Sequence, residues 1–442
     1  MYKIGMISLG CPKNQVDAEL MLAKLEQEGF EIVNDAVGAD AVIINTCGFI
    51  EDAKKEAIEN ILEMAQLKED GDIKKIIVTG CLAERYKQEV IDEIPEIDAI
   101  IGIGANENIA QVCKNALEGK RIANFPPNEQ LALNGQRLLT TPQYLAYLKI
   151  ADGCSNCCTY CAIPEIRGPF RSRKIEDIVE EAQALAQSGV KEVVVIAQDT
   201  TRYGEDVYGK LMLPTLLDKL CEIEGIEWLR LLYCYPDCLT DELIDTIARQ
   251  EKVLNYIDLP LQHADADILK AMNRTGSKKE LTKLISKVRA KIPDVVLRTT
   301  FITGFPGETP ESFESLAEFV KDIKFDRLGC FAYSAEEGTP AASFENQVET
   351  EEKIRRGELI MQAQYDIFMD NNEKSIGKTY KVLTEGYDAN SDSYYGRSYK
   401  DAPEIDSKVL FTCEDVIKEG EFVDVKIIGT MEYDLLGKVV EK

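Results

Sequence analysis

Histidine, tryptophan and long apolar segments are scarce or absent in this 442-residue sequence. His263 is the only histidine, which excludes zinc and copper sites built from several imidazoles and leaves few options for a Ser-His or Cys-His nucleophile. No apolar stretch approaches the roughly 20 residues that a membrane-spanning helix needs. The opening residues MYKIGMISLGC are typical of a β-strand rather than of a basic leader, so we expect a cytoplasmic protein with no membrane partner.

Basic residues are also fewer than acidic residues. Lys and Arg together number 51 against 78 Asp and Glu, which gives a formal net charge of −27. Such a charge repels polyanions, so tRNA is not the expected partner. Two alternatives stay open, namely a local basic patch and an acidic surface that only keeps the protein soluble.

The order of apolar segments predicts several domains, as expected for a chain of this length. Residues 1–125 alternate short apolar runs with amphipathic stretches, the pattern of a parallel α/β sheet. Residues 126–143 are polar and contain Pro, as in a linker. Residues 144–373 contain six further βα units, which predict a partial (β/α)6 barrel. Residues 375–442 have alternating strands broken by turn residues, typical of a small OB-like all-β barrel. The six candidate strands of the partial barrel are 144–153, 191–199, 227–236, 253–260, 294–304 and 326–334.

Thirteen cysteines in a chain expected to be cytoplasmic point to metal or redox sites rather than to disulfides. Cys11, Cys47 and Cys81 follow consecutive predicted strands at spacings of 36 and 34 residues. Because the carboxyl ends of parallel strands share one edge, these thiols are predicted to converge there. Three thiolates suit an iron-sulfur cluster with one open iron better than a four-ligand structural zinc. The alternative is that each is a small apolar residue that ends its strand.

Four more cysteines crowd into GCSNCCTYCAIP, directly after the first predicted strand of the partial barrel. Cys154, Cys158 and Cys161 form C-x3-C-x2-C, which can hold three corners of a 4Fe-4S cluster. Cys154, Cys157 and Cys161 form C-x2-C-x3-C, and spacing alone does not decide between the two sets. A structural zinc knuckle is a third interpretation, although neither a second C-x-x-C nor a histidine pair lies within zinc-finger distance.

These motifs carry a family resemblance along essentially the whole chain. SLGCPKN, NTCGFI and TGC, then GCSNCCTYCAIPEIRG with RSR, then a C-terminal barrel resemble the radical S-adenosylmethionine (SAM) methylthiotransferases. The resemblance implies a flavodoxin-like N-terminal domain, a radical SAM partial (β/α)6 barrel and a C-terminal TRAM barrel. It implies a first cysteine triad of Cys11, Cys47 and Cys81 and a second triad of Cys154, Cys158 and Cys161. Cys157 becomes a spectator at a position that is commonly not cysteine.

Two classes of this family compete. SLGCPKNQVDAE, AQDTTRYGED and FAYSAEEGTPA resemble the class that modifies an aspartate of small-subunit ribosomal protein number twelve. The class that modifies adenosine-37 of tRNA typically has Gln or Thr at Pro12 and Arg in place of the Glu336-Glu337 pair. Residues 375–442 carry nine basic against fourteen acidic residues, and an acidic clamp and barrel mouth suit a basic ribosomal protein better than RNA. We therefore expect the ribosomal-protein class, with tRNA modification as the alternative.

The resemblance further implies two 4Fe-4S clusters, one on each triad, and two SAM molecules per turnover. One SAM methylates a sulfur on the first cluster, and the other yields the radical that removes hydrogen from the aspartate β-carbon. An electron donor such as flavodoxin or ferredoxin is also implied. His263 lies near the expected cofactor site, where a hydrogen-bonded structural role is the favoured interpretation. The expected SAM contacts are Gln198, Asp199, Gln262, Arg298 and Tyr333.

Overall fold

The structure is a computed structural model that describes residues 1–440 and contains two open parallel sheets, a closed β-barrel and a two-stranded ribbon. Residues 441–442, the end of the predicted C-terminal domain, lie outside the described residues. The predicted fold class is confirmed, while the exact domain boundaries stay predictions. In the described part of the chain, no helix is long and apolar enough to cross a membrane.

The first sheet is parallel and has the strand order β2-β1-β3-β4-β5-β6, which begins with the flavodoxin-like order 2-1-3-4-5. Its strands are β1 Lys3–Ser8, β2 Glu31–Val33, β3 Ala41–Thr46, β4 Lys75–Gly80, β5 Ala99–Ile101 and β6 Ile122–Asn124. Its helices are α1 Pro12–Gln27, α2 Glu51–Asp70, α3 Cys81–Tyr86, α4 Gln88–Glu93 and α5 Ile109–Leu117.

Both faces of the first sheet are covered, because successive side chains of a strand point in opposite directions. Val42, Ile44 and Val78 pack on the side of α2, whereas Ile43 and Ile77 pack on the side of α1 and α5. This two-sided burial explains the nearly continuous apolar runs of β3 and β4. It leaves the carboxyl edge of the sheet as the place where functional groups collect.

The second sheet contains six parallel strands in the order β14-β13-β12-β11-β10-β7, so it is an open (β/α)6 barrel. All six predicted strands are present, each shorter than its sequence pattern suggested. The strands are β7 Leu145–Lys149, β10 Glu192–Ile196, β11 Trp228–Leu231, β12 Val253–Asp258, β13 Val296–Thr303 and β14 Arg327–Ala332, with a ribbon of β8 Ala151–Asp152 and β9 Arg171–Ser172. The helices are α6 Ile163–Arg167, α7 Ile175–Gln187, α8 Glu205–Tyr208, α9 Leu213–Cys221, α10 Asp241–Arg249, α11 Ala266–Ala271, α12 Lys278–Lys291, α13 Pro310–Ile323 and α14 Thr350–Glu373.

The inner face of the open barrel is filled by its neighbours. Tyr147, Val194 and Tyr256 point inward and belong to one apolar cluster with Val16 of α1 and Leu383 of the C-terminal barrel. The outer face packs against the helices that connect the strands. The first domain and the C-terminal barrel therefore both share a core with the open barrel, which fixes how the three units meet.

The C-terminal unit is a closed five-stranded barrel in the order β15-β16-β17-β19-β18. Its strands are β15 Thr379–Asp388, β16 Ser393–Ser398, β17 Val409–Thr412, β18 Phe422–Met431 and β19 Asp434–Val439. A buried ion-pair chain joins it to the open barrel, because Glu192 accepts hydrogen bonds from Arg230 and from Arg397 at 2.7 Å each.

The predicted linker, residues 126–143, packs against both of its neighbours. Arg137 is only 4% exposed and donates hydrogen bonds to Glu19 of α1 (2.6 Å from Nη2) and to the carbonyl of Tyr147 in β7 (2.7 Å from Nη1). The segment therefore packs between the first domain and the open barrel and is hydrogen-bonded to both.

Candidate functional site

The first triad lies at the carboxyl edge of the first sheet. The parallel register pairs Ser8 with Asn45 and Thr46 with Gly80, so the residues that follow β1, β3 and β4 emerge side by side. Cys47 directly follows Thr46, Cys81 directly follows Gly80, and Cys11 precedes the first turn of α1.

Gly10 and Gly80 permit the close approach of these strand ends. Both have positive φ, +91° at Gly10 and +94° at Gly80, which an L side chain rarely adopts. A Cβ atom at Gly10 would lie 2.7 Å from the Cβ of Cys47, and one at Gly80 would lie 2.4 Å from the carbonyl oxygen of Thr46. The Gly-Cys dipeptides in the sequence are thus needed to bring the thiols together.

The three thiols differ in their electrostatic surroundings. Burial raises the pKa of Cys81 to about 12, although Arg167 Nη2 lies 3.5 Å from its Sγ. Burial also raises the pKa of Cys47. Burial acts on Cys11 as well, but the positive charges of Lys13 and Arg167 outweigh it and lower the pKa of that thiol. Neighbouring cations therefore favour a thiolate at one corner of the first triad.

The second triad lies on the loop between β8 and α6. Cys154 N donates to Gly168 O (3.1 Å), and Cys161 N donates to Cys158 O (3.0 Å), so the loop folds back on itself. Burial raises the pKa of Cys154 to about 11 and that of Cys161 to about 12, and the nearby Cys158 raises both further. Cys157 raises the pKa of Cys154 in the same way, so these effects show that the thiols of the loop are crowded but do not choose between the two candidate triads.

Cys157 differs from its neighbours in exposure and direction. It is exposed and has a φ of +50°, whereas Cys154, Cys158 and Cys161 are partly buried. Its carbonyl accepts a hydrogen bond from Asn273 Nδ2 (3.1 Å). Across residues 1–440, no group of three or more Cys, His, Asp or Glu has the arrangement of a single-ion site, whereas a 4Fe-4S cluster takes each cysteine on a different iron.

A buried ionic network connects the two triads. Arg167, at the end of α6, donates from Nη1 to Asp17 of α1 (2.6 Å) and to Asp152 of β8 (2.9 Å), while its Nη2 faces Cys81. Lys149 pairs with the same two carboxylates, at 2.8 Å from Asp152. None of these four charged side chains is more than 2% exposed. Two cations and two carboxylates balance in charge, so the network holds the loop of the second triad against the first domain.

The sequence matches known proteins along its whole length. Residues 3–102 match the family described as "Uncharacterized protein family UPF0004", residues 148–320 the Radical SAM superfamily and residues 376–440 the TRAM domain. A protein of Clostridioides difficile strain 630, named ribosomal protein uS12 methylthiotransferase RimO, is 50% identical over 445 residues, covering 100% of this chain and 99% of that protein. The protein of that name in Desulforamulus reducens is 51% identical, covering 100% of both. This chain belongs to the RimO family of methylthiotransferases.

Solved structures support the same fold at much lower identity. The radical SAM methyltransferase TsrM from Kitasatospora setae, solved with cobalamin and a 4Fe-4S cluster bound, has a TM-score of 0.57 at 14% identity and covers 77% of each chain. This likeness shows the fold alone. Membership of the RimO family and the Radical SAM superfamily implies that the chain uses a 4Fe-4S cluster and SAM.

Gln198 and Asp199, two of the predicted SAM contacts, follow β10 at the carboxyl end of the barrel. Gln198 donates from Nε2 to Asp152 (3.0 Å), and its Oε1 is buried without a hydrogen-bond partner among residues 1–440. Asp199 is 1% exposed and accepts hydrogen bonds from Thr201 N (3.1 Å) and Asn156 Nδ2 (2.8 Å). Asp199 thus supports the loop of the second triad, whereas Gln198 keeps a free acceptor.

Gln262 and Arg298 lie at different heights of the barrel. Gln262 has a φ of +71°, and its backbone bridges β13 through hydrogen bonds with Thr300 and Ile302 (2.8 Å each). Arg298 is the third residue of β13 and donates to Asp258 (2.9 Å), with its Nε 4.0 Å from Asp406 of the C-terminal unit. The Arg298 guanidinium therefore lies between Asp258, the last residue of β12, and the C-terminal unit.

Tyr333 and His263 are both buried near the carboxyl ends of the last strands. The Tyr333 ring packs edge-on against Phe305 (5.3 Å), and its hydroxyl has no hydrogen-bond partner in the described chain; burial raises its pKa to about 12. His263 Nδ1 accepts a hydrogen bond from Asp265 N (2.9 Å), and Nε2 lies 3.3 Å from Glu308. The contact at Nδ1 is structural, whereas Nε2, like the Tyr333 hydroxyl, is buried without a hydrogen-bond partner in the described chain.

The loop after β14 contacts the first domain. The side chain of Glu336, one of the pair that separated the two classes in the sequence, is only 3% exposed. It accepts a hydrogen bond from Arg85 Nη1 (3.1 Å) and pairs with Lys54 (3.3 Å), both in the first domain. Glu337 remains exposed, although its carbonyl accepts from Arg85 Nη2 (2.6 Å). Glu336 therefore joins the open barrel to the first domain.

Three cations that the sequence did not assign lie beside the cysteines. Lys13 and Arg167 are inside the quoted motifs, next to Cys11 and after Cys161, so their proximity was available as a signal. Arg274 Nη1 lies 3.8 Å from the Sγ of Cys158, and this contact has no local signal because the two are far apart in sequence.

Proposed function

We propose that this chain adds a methylthio group to the β-carbon of an aspartate in the small-subunit ribosomal protein number twelve, uS12. The observation that carries the proposal is the juxtaposition of the two triads. Arg167, six residues after Cys161, lies 3.5 Å from Cys81. An enzyme that activates a carbon at one centre and supplies sulfur from another needs both centres fixed in one place, because held reactants avoid the entropic cost of encounter.

Each triad, within this proposal, holds one 4Fe-4S cluster through three thiolates, so that the chain binds two clusters. The donor sets fit such clusters: all six cysteines are free thiols, and cations lie beside Cys11, Cys81 and Cys158. When bound, the cluster of the second triad with SAM supplies the radical that takes hydrogen from an unactivated carbon, and the first cluster supplies the sulfur.

The proposed SAM contacts stay Gln198, Asp199, Gln262, Arg298 and Tyr333, and Gln198 and Tyr333 have the strongest support among them. The buried Oε1 of Gln198 and the buried hydroxyl of Tyr333 lack partners within residues 1–440, and buried polar groups are normally hydrogen-bonded. A polar cofactor between them would satisfy both. Asp199 positions the loop of the second triad through Asn156, and Arg298 supports the seam with the C-terminal barrel.

The chain's own groups exclude water and fix the geometry. The Asp17, Lys149, Asp152 and Arg167 network is buried between the triads and leaves no exposed charge there. A dry surrounding protects a reactive radical from side reactions. An electron donor such as flavodoxin or ferredoxin and a cytoplasmic location complete the proposal.

Mass spectrometry of a strain that lacks this protein tests the substrate. Ribosomal uS12 and tRNA nucleosides are compared before and after complementation with the wild type, with Cys158→Ala and with Cys157→Ala. We expect the methylthio mass to leave uS12 in the deletion strain and to return with wild type and Cys157→Ala but not with Cys158→Ala. Loss of a methylthio group from a tRNA adenosine, with uS12 unchanged, would contradict the proposal.

A further inference from the structure

Lys13 occupies an unusual position between the first triad and the mouth of the barrel. It follows Cys11 and Pro12 in the first turn of α1, and it is only 7% exposed. Its Nζ lies 3.3 Å from the centroid of the Tyr233 ring. Tyr233 follows the carboxyl end of β11 and is held at a φ of +59°. The ammonium group thus lies where the first domain faces the strand ends of the barrel.

The Lys13 ammonium has no carboxylate beside it in the described part of the chain. Within residues 1–440 its Nζ forms no ion pair with Asp or Glu; the acidic groups that act on its charge are the Tyr233 hydroxyl and the Cys11 thiol, and Arg167 repels it. Several other buried cations are paired with carboxylates: Lys149 with Asp17 and Asp152, Arg230 with Glu192, and Arg327 with Asp401. Arg274, which is 7% exposed and lies beside Cys158, resembles Lys13 in having a thiol and no carboxylate as its neighbour among the described residues.

A buried ammonium without a carboxylate partner is costly, and the cation–π contact and the Cys11 thiolate offset only part of that cost. The surroundings of Lys13 add further positive potential. The 16-residue helix α1 starts at Pro12 and has no acidic residue in its first turn. No negative side chain of that turn therefore offsets the positive end of the helix dipole at its N-terminus. The site therefore favours an anion.

We propose that Lys13 binds the carboxylate of the target aspartate and so selects an aspartate side chain as the substrate. The proposal rests on the proposed function of the chain. The carboxylate carbon of aspartate is bonded directly to the β-carbon. A cation that binds the carboxylate therefore also fixes the position of the reacting β-carbon, which is only one bond away. Lys13 also lies two residues from Cys11, at the centre that supplies the sulfur. A neutral adenine ring would leave this ammonium without a carboxylate partner.

Binding measurements on the cluster-loaded enzyme test this role. The dissociation constant for uS12 is measured by titration calorimetry with the natural target aspartate and with asparagine at that position, for wild type, Lys13→Met, Lys13→Arg and Lys24→Met. Lys24 is an exposed lysine of the same helix and controls for the loss of one positive charge. Iron content is measured for every preparation.

We expect Lys13→Met to weaken binding of aspartate-containing uS12 by about 10- to 100-fold, the range for a charge-assisted hydrogen bond. Binding of the asparagine form should change less than about 2-fold, Lys13→Arg should recover part of the loss, and Lys24→Met should match wild type. Equal weakening of both uS12 forms, or loss of iron from Lys13→Met, would mean that Lys13 only compensates cluster charge and would overturn the inference. If wild type binds neither form of uS12, the proposed function itself fails.

Discussion

Replacing Asp17 by Asn is the sharpest test of how the two triads are held together. Asp17 is 1% exposed and pairs with Lys149 and with Arg167 (2.6 Å). Asn keeps the shape but removes the charge, so two buried cations then share the single carboxylate of Asp152. Removing one partner of a buried ion pair typically costs about 3–5 kcal/mol, because the remaining charge is uncompensated. We expect a destabilisation of that size.

The exposed pair Asp218–Arg249 provides the matched control. It has similar contacts of 2.6 and 2.8 Å, but its side chains are 36% and 49% exposed. Asp218→Asn should therefore cost less than about 1 kcal/mol. Trp228 is the only tryptophan, buried in β11 against Phe422 of the C-terminal barrel, so its fluorescence follows urea unfolding of this region. A loss for Asp17→Asn no larger than that of the control would refute the network as a structural element.

Two further predictions concern the cysteines and the domain contact. Cys81→Ala should halve the iron content after anaerobic reconstitution and Cys157→Ala should leave it unchanged, as measured by iron and sulfide analysis; unchanged iron in Cys81→Ala would contradict the two-cluster proposal. Burial raises the pKa of Glu336, but hydrogen bonds from Ser334 and Arg85 outweigh it, so the pKa lies below the ordinary value. The ionised Glu336 carboxylate therefore stabilises the folded protein fully above about pH 5, and this contribution is lost as the pH falls through the folded-state pKa of Glu336. Thermal unfolding between pH 7 and pH 3 should show a steeper loss for wild type than for Glu336→Gln, and equal slopes would contradict the assignment.

The periodicity of the sequence predicted the fold because it depends on burial alone. Strands such as β3 and β10 are buried on both faces, and their apolar runs are visible without any knowledge of the partner strand. The same logic located the first triad, since the carboxyl ends of parallel strands must share an edge. The strand lengths were overestimated because polar residues such as Gln198 and Asp199 continue the pattern past the last ladder hydrogen bond.

Charge pairing could not be predicted in the same way, because it depends on contacts between distant segments. Glu336 and Arg85 are separated by 251 positions, and nothing near either residue indicates the other. Arg137 illustrates the same limit: its segment has the composition of a linker, yet it pairs with Glu19 and is buried. The local sequence shows that a charged residue is present. Whether that residue lies on the surface or in an interdomain contact depends on the fold.

The chain as a whole is negatively charged, with a net charge of −27, whereas positively charged side chains surround the candidate site. Three of the buried cations lie beside the triads, with Lys13 near Cys11, Arg167 near Cys81 and Arg274 near Cys158. Thiolates need such compensation when they are removed from water. An acidic exterior attracts a basic protein at long range, while a cationic interior recognises a carboxylate at contact distance. These two requirements together describe a substrate that is basic overall but presents an acidic side chain, and an aspartate in a basic ribosomal protein satisfies both.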